Sequence, residues 1–306
     1  MKSVAKPMGS PPPQRLAGIY LKLTLTALFW GGTFPAGRVV AETLPPFTAA
    51  FGRYALASLG LVALLLWREG GLKSLTRPQQ INVWLLGLTG ILGYNAFFFW
   101  GLQTTSAGRA ALIITTNPVL IAVGAALWWG ERLTPLRILG MGLAVSGAAL
   151  GIAHGQPTVL VRQAWQFHDL ILLGCVVSWT LYTLLNRPLV AQLTPLATAT
   201  WACLAGTLLL FPLMLAEVIG HGRPAIPLLT WACLAYLALL GTVVALYWYA
   251  AAIQVLGPAR SAIFISLVPV IAVLLSALFL GESLNPGLFA AGLGVAVGIY
   301  LTNQPR

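Results

Sequence analysis

Residues 115–135 read TTNPVLIAVGAALWWGERLTP, and residues 266–286 read SLVPVIAVLLSALFLGESLNP. Both stretches place Pro-Val first, then Gly-Glu, then Leu-x-Pro at one spacing, and Pro269 follows Pro118 by 269 − 118 = 151 positions. Upstream, Gln103 and Gln254 are related by the same step. A half-chain is therefore duplicated, and the function must come from both copies acting together.

The composition predicts a membrane protein. Of 306 residues, 58% are hydrophobic and 8% are charged, and the mean hydropathy is +0.88. A soluble domain carries about 25% charged residues. The net charge of +11 does not indicate a nucleic-acid partner, because the basic residues stand singly between apolar runs, where they orient a chain in a lipid bilayer. The three cysteines lack metal-ligand spacing, so no metal site is expected.

Apolar runs of about 20 residues, each able to cross a ~30 Å hydrocarbon core, recur along the chain. The expected spans are 16–40, 46–67, 80–102, 107–129, 135–153, 168–187, 195–219, 227–252, 258–280 and 286–302. The predicted fold class is an all-α polytopic membrane protein with ten transmembrane helices. The expected domains are a tail at 1–15, repeats at 16–153 and 168–302, an external loop at 154–167 and a tail at 303–306.

The positions of the basic residues predict the orientation. With both termini in the cytoplasm of a bacterial-type cell, twelve of the 17 Lys and Arg residues face inward. The five on the outer side are Arg38, Arg53, Arg109, Arg162 and Arg223. Each repeat has an odd number of spans, so the second enters the inner membrane from the opposite side. Two inverted repeats can expose one site alternately to either face, which is typical of a transporter.

The doubled Pro-Val, Gly-Glu and Leu-x-Pro pattern resembles the EamA-type branch of the drug/metabolite transporter superfamily. The resemblance covers nearly all of residues 16–302 and implies a ten-helix exporter of amino acids or other small metabolites. It also implies that helices 1–4 and 6–9 surround a central cavity, with helices 5 and 10 at the periphery. The paired glycines of those two helices suit close contact, and a dimer contact through them stays open.

Pro118 and Pro269 fall near the middle of spans four and nine. Each removes one helix hydrogen bond and frees a backbone carbonyl. A static kink is one interpretation, and a hinge or a broken helix beside the substrate is the other. Asn117 and Ser266 stand close to these prolines, and an amide at this depth needs either a partner on another helix or a wet cavity.

Aromatic residues recur at equivalent depths in both halves. Ordinary core packing explains any single ring, but paired recurrence favours the wall of a cavity. The predicted substrate-binding residues are Trp30, Tyr94, Asn117, Trp179, Tyr182, Tyr247 and Ser266, with Pro118 and Pro269 as hinges. Rings with a few hydroxyls and amides suit small amphipathic molecules, amino acids with aromatic or other neutral side chains above all. Nucleotide sugars, lipid-linked sugars and drugs are the alternatives.

Arg53 is the charge farthest from any span end. We expect its side chain to reach back to the headgroups; pairing with Glu42 or with a substrate carboxylate are the alternatives. Other classes fit poorly. No lysine follows a glycine-rich phosphate loop, and no nucleophile–base pair is evident, which leaves an integral-membrane transferase as a distant alternative. We therefore predict no enzymatic activity and no cofactor.

Overall fold

The computed structural model describes residues 13–72, 74–130, 133–152, 167–222, 225–256, 261, 264–282 and 286–302. These residues form helices and short connections, with no strand among them. We name the helices α1 (Pro13–Thr43), α2 (Pro46–Glu69), α3 (Arg77–Leu102), α4 (Ala107–Trp129), α5 (Pro135–Ile152), α6 (Phe167–Val190), α7 (Pro195–His221), α8 (Leu228–Ala235, Tyr236–Val244 and Ala245–Leu256), α9 (Val268–Leu280) and α10 (Pro286–Thr302).

The helices α2, α3, α4, α6, α7 and α8 are each long and apolar enough to cross a membrane. The apolar helices described at Pro135–Gly147, Val268–Leu280 and Phe289–Thr302 are shorter. Polytopic character is thus confirmed, while the count of ten crossings and the inverted arrangement of the repeats stay predictions. Of the expected tail at 1–15 and loop at 154–167, residues 13–15 and 167 belong to α1 and α6, and the rest lies outside the described residues, as does the expected tail at 303–306.

Prolines and glycines set many helix boundaries, as their local chemistry requires. Pro46 and Pro195 stand in the first turns of α2 and α7, where a missing N–H costs nothing. Gly130 and Gly281 follow α4 and α9 with φ of 66°, a left-handed conformation that favours glycine. The duplicated sequence pattern therefore ends both helices in the same way.

Helices α2 and α7 run antiparallel and hold each other at both ends. The Glu217 carboxylate, near the end of α7, accepts hydrogen bonds from the N–H groups of Phe47 and Thr48 at the start of α2, at 3.1 and 2.7 Å. At the opposite end, Thr194 donates to Glu69 at 2.7 Å. A carboxylate at a helix start satisfies unpaired N–H groups and opposes the positive end of the helix dipole.

Helices α5 and α10 pack backbone to backbone through glycines. A Cβ added to Gly147 would lie 2.8 Å from the backbone nitrogen of Val295, and one on Gly140 would lie 2.6 Å from that of Thr302. Gly298 makes a still closer approach to the backbone of Ala144. This confirms the close contact expected for the glycines of these two helices. The contact lies within one chain, and a dimer contact through α5 and α10 stays a prediction.

Helix α4 is fixed at its start by carboxylates from two other parts of the chain. Glu282 accepts from the N–H groups of Ala107 and Gly108, at 2.7 and 3.1 Å. Arg109 forms a two-pronged ion pair with Asp169 at the start of α6, with Nε 3.0 Å from Oδ1. These contacts join the first half of the chain to the second at the end of the bundle where α4 begins.

Candidate functional site

Two helices are interrupted at their centres by π-helical segments. One covers Gly87–Gly93 within α3, and the other covers Tyr236–Val244 within α8. Such segments disturb the regular hydrogen-bond ladder and are frequent at functional sites. Nearby polar side chains bond to the loosened carbonyls: Asn95 donates to Ile91 at 2.8 Å, and Thr242 donates to Leu237 at 2.9 Å.

Arg53 of α2 lies between these two interruptions. Its Nη1 donates to Oδ1 of Asn95 at 3.1 Å, and its Nη2 donates to the hydroxyl of Thr242 at 3.2 Å. The guanidinium carbon lies 5.2 Å from the ring centroid of Tyr54. Arg53 is only 7% exposed, so the expectation that it reaches back to the headgroups is wrong. The packing of α3 and α8 over α2 encloses the side chain before it could reach a surface.

The charge of Arg53 is met by neutral groups in the part of the chain that the structure describes. Five of the six acidic residues are described, and each bonds elsewhere: Glu42 to Arg38, Glu69 to Thr194, Asp169 to Arg109, Glu217 to Thr48 and Glu282 to Ala107. The sixth, Glu131, lies outside the described residues. The Nε of Arg53 is buried and has no hydrogen-bond partner among the described residues. Pairing with Glu42 is thereby wrong as well, because Arg38 holds that carboxylate at 2.7 Å.

Three predicted rings form one group between α3 and α6. The ring centroids of Trp179 and Tyr182 are 5.0 Å apart with planes 26° apart, and Tyr94 lies 5.4 Å from Trp179. Tyr182 packs directly on the π segment of α3, since a Cβ on Gly90 would lie 2.6 Å from its Cγ. The structure thus brings Tyr94, Trp179 and Tyr182 together.

Trp30 belongs to a second group, between α1 and α8. Its Nε1 donates to the carbonyl of Gly241 in the π segment at 3.1 Å, and its ring meets Tyr249 edge-on at 5.2 Å. The crevice that Trp30 and Tyr249 share with Phe264 is too narrow to hold a water molecule. Tyr247 lies on α8 between Gly241 and Tyr249 in the sequence. The guanidinium carbon of Arg68, near the end of α2, lies 5.5 Å from the centroid of its ring.

The chain breaks its helix before each of the two prolines. Turns occupy residues 115–116 and 266–267, and Pro118 and Pro269 stand in the first two positions of the helices that follow. Asn117 is half-buried, and its Oδ1 has no hydrogen-bond partner among the described residues. Ser266 is 6% exposed. Both polar residues therefore lie at interruptions of the helices, an arrangement that the broken-helix interpretation of Pro118 and Pro269 anticipates. Their role in substrate binding stays a prediction.

Sequence reasoning missed Asn95 and Thr242, the two partners of Arg53. A signal was present, because each is a polar residue within an apolar run. Asn95 lies five residues after Gly90 and Thr242 directly follows Gly241, and these glycines are 151 positions apart. The π segments could not be recognised in the sequence, because both run through stretches that are apolar on nearly every face, where a shift of helical phase alters no polar pattern.

Comparisons with known proteins agree with this architecture. The sequence model of the EamA-like transporter family matches residues 17–152 and again 166–304. A crystal structure 21% identical in sequence covers 94% of this chain and 96% of its own with a TM-score of 0.68, which shows a shared fold.

Two curated relatives are also similar along most of their lengths. The uncharacterized transporter YyaM of Bacillus subtilis is 31% identical over 84% of this chain and 85% of its own. A probable terminal-alkyne amino-acid exporter of Streptantibioticus cattleyicolor is 32% identical over 92% of each chain. The family and these relatives indicate a transporter. The chain is thus a multi-pass membrane protein and belongs to the EamA-like transporter family of the drug/metabolite transporter superfamily.

Proposed function

We propose that this chain exports amino acids, aromatic and other neutral ones above all, by alternating access. The observation that carries the proposal is the set of paired helix interruptions. The π segments of α3 and α8 contain Gly90 and Gly241, and the breaks of α4 and α9 precede Pro118 and Pro269. The two glycines are 151 positions apart in the sequence, and so are the two prolines. Interrupted helices in corresponding places of two halves are typical of transporter substrate sites.

The proposed architecture has two inverted five-helix repeats, at 16–153 and 168–302, that share ten crossings. The double family match and the antiparallel pairing of α2 with α7 both favour it. Both termini would be cytoplasmic in a bacterial-type inner membrane. A periplasmic reporter fused after Arg306 should therefore stay inactive, and activity from that fusion would contradict the orientation.

The proposed substrate site combines the seven residues predicted from sequence. Tyr94, Trp179 and Tyr182 would pack the side chain of the substrate, and Trp30 and Tyr247 would close the wall on the side of α8. Asn117 and Ser266 would meet its polar end beside the hinges Pro118 and Pro269. The unpartnered Oδ1 of Asn117 supports this role, because a buried amide oxygen without a donor is costly.

The relative from Streptantibioticus cattleyicolor, named a probable amino-acid exporter, supports this substrate class. Nucleotide sugars and lipid-linked sugars would need more buried cations than Arg53 supplies among the described residues. The test is counterflow into liposomes that contain the purified chain, across a panel of amino acids. We expect uptake of phenylalanine and of other neutral amino acids. Failure of the whole panel in liposomes that hold the folded chain would contradict the proposal.

A further inference from the structure

A buried guanidinium with neutral partners is expensive. Arg53 is withdrawn from water, and among the described side chains only Asn95 and Thr242 hydrogen-bond to it. A charge taken into a low-dielectric interior needs a counter-charge and a full set of hydrogen bonds, and here the Nε proton remains unused. Ionisable groups inside membrane proteins usually mark the path of a substrate.

We infer that Arg53 is the receptor for a carboxylate of the transported molecule, with Asn95 and Thr242 holding the guanidinium while the site is empty. The inference rests on the proposed function and deepens it, because it names the group of the substrate that is recognised. A guanidinium presents a planar fork of N–H donors that matches the two oxygens of a carboxylate. The unused Nε–H and one Nη–H together supply such a fork.

The two residues that hydrogen-bond to Arg53 come from different halves of the chain. Asn95 lies on α3 of the first half, and Thr242 lies in the π segment of α8 in the second. Arg53 therefore joins the two interrupted helices as long as it bonds to both. A carboxylate that takes over the guanidinium releases α3 from α8, and a ligand that binds the released state more tightly shifts the population toward it.

The first experiment measures carboxylate binding without transport. The purified full chain in detergent is unfolded by heat with phenylacetate, which has a ring and a carboxylate but no amine. We expect phenylacetate to raise the Tm of the unmodified chain and of Arg77→Gln, a control that removes an exposed arginine at the start of α3. Arg53→Gln should lose this rise. Absence of a rise in the unmodified chain, or its persistence in Arg53→Gln, would overturn the inference.

The second experiment asks whether the carboxylate is recognised during transport. Counterflow compares phenylalanine with phenylalaninamide, which keeps the ring and the amine but lacks the carboxylate. We expect Arg53→Gln to lower phenylalanine uptake by on the order of tenfold to a hundredfold, the loss typical of a charge-assisted hydrogen bond, and to spare phenylalaninamide. Arg53→Lys should recover part of the preference. An equal loss for both compounds would identify Arg53 as a structural strut and contradict the inference.

A third variant covers the case in which Arg53→Gln does not fold. Asn95→Asp keeps the shape of the side chain and places a permanent carboxylate about where Oδ1 now lies, 3.1 Å from Nη1. We expect this variant to be folded, to have a raised Tm and to gain nothing from phenylacetate, because its own carboxylate occupies the receptor. A full response to phenylacetate would show that the ligand and the introduced carboxylate do not compete, which overturns the inference.

The two proposals fail in distinguishable ways. If the unmodified chain moves no amino acid while phenylacetate stabilises it through Arg53, the proposed function is wrong and the carboxylate site stands. If amino acids are transported and phenylalanine is not preferred over phenylalaninamide, the function stands and the carboxylate site is wrong.

Discussion

Helices α2 and α7 occupy equivalent places in the two halves of the chain, yet their central residues differ in kind. Ser58 and Thr207, which are 149 positions apart, hydrogen-bond to each other at 3.1 Å. The same step leads from Arg53 to Ala202, which is completely buried. The contact between equivalent residues aligns the two helices, while the buried arginine is found on α2 and has an alanine as its counterpart on α7. The two helices thus pair through equivalent residues, while their buried side chains differ in chemistry.

The same contrast appears at the π segments. Gly90 and Gly241 are equivalent, and each admits a side chain from a helix of the other half. Gly90 admits the ring of Tyr182, whereas Gly241 admits Thr33, 149 positions before Tyr182. Asn117 likewise corresponds to Val268, 151 positions later. In the proposed alternating-access cycle, two inverted repeats would let the halves exchange roles, and unequal side chains would suit a substrate with a polar end and an apolar end.

The largest expected effect on stability comes from the ion pair between Arg109 and Asp169, which joins the two halves of the chain. Asp169 corresponds to Tyr20, 149 positions earlier, so the carboxylate of this pair has no counterpart at the equivalent position of the first half. Arg109→Leu removes the cation from a carboxylate that is 1% exposed. We expect a loss of about 3–5 kcal/mol in the free energy of unfolding. Chemical unfolding in detergent measures it.

The control for the ion pair is the double variant Arg109→Leu/Asp169→Leu. It should recover most of the loss, because replacing both charges by apolar side chains is often neutral. A double variant as unstable as the single one would show that the pair is not the cause.

The next effect tests a contact that both halves share. Gly147 of α5 and Gly298 of α10 are 151 positions apart, and each meets the backbone of the other helix. Gly147→Leu and Gly298→Leu should each cost about 1–3 kcal/mol through overpacking. Gly142→Leu, on the same helix as Gly147 but with nothing within 4 Å, should not lower the unfolding free energy and should raise it slightly through the higher helix propensity of leucine. Equal losses at Gly142 and Gly147 would contradict the packing account.

If Pro118 and Pro269 work as a pair of hinges, replacing either one should slow transport to the same extent. Pro118→Ala and Pro269→Ala each supply the N–H that the proline lacks just after a break, which allows the helix to run on through the break in a straighter form. A bias of about 1.4 kcal/mol between two states changes their ratio tenfold, so we expect roughly tenfold slower counterflow with unchanged expression. Transport at the unmodified rate in both variants would make the prolines static kinks.

The smallest expected effect is a difference in substrate uptake between variants of two equivalent tryptophans, Trp30 and Trp179. Trp179 stacks on Tyr182, whereas Trp30 donates its indole N–H to Gly241. Loss of a stacked ring costs about 0.5–1.5 kcal/mol beyond its buried area. Trp179→Ala should therefore weaken phenylalanine uptake more than threonine uptake, and Trp30→Ala should weaken both alike. Equal losses for the two substrates in Trp179→Ala would place that ring outside the site.

Helix boundaries, and the breaks before Pro118 and Pro269, followed from local chemistry, which is why the sequence could indicate them. Pro46 and Pro195 start helices, and Pro118 and Pro269 follow breaks, because a proline lacks its N–H wherever it stands. The burial of Arg53 could not be predicted in the same way. It depends on Asn95 and Thr242, 42 and 189 positions away, and on two π segments that only the packed helices reveal.

The most direct test of the central claim is an experimental structure of the full chain with bound phenylalanine. The account predicts a carboxylate within hydrogen-bond distance of the Arg53 guanidinium, with Asn95 or Thr242 released from it and the substrate ring against Trp179 and Tyr182. A structure in which phenylalanine binds elsewhere, while Arg53 still bonds to both Asn95 and Thr242, would contradict it.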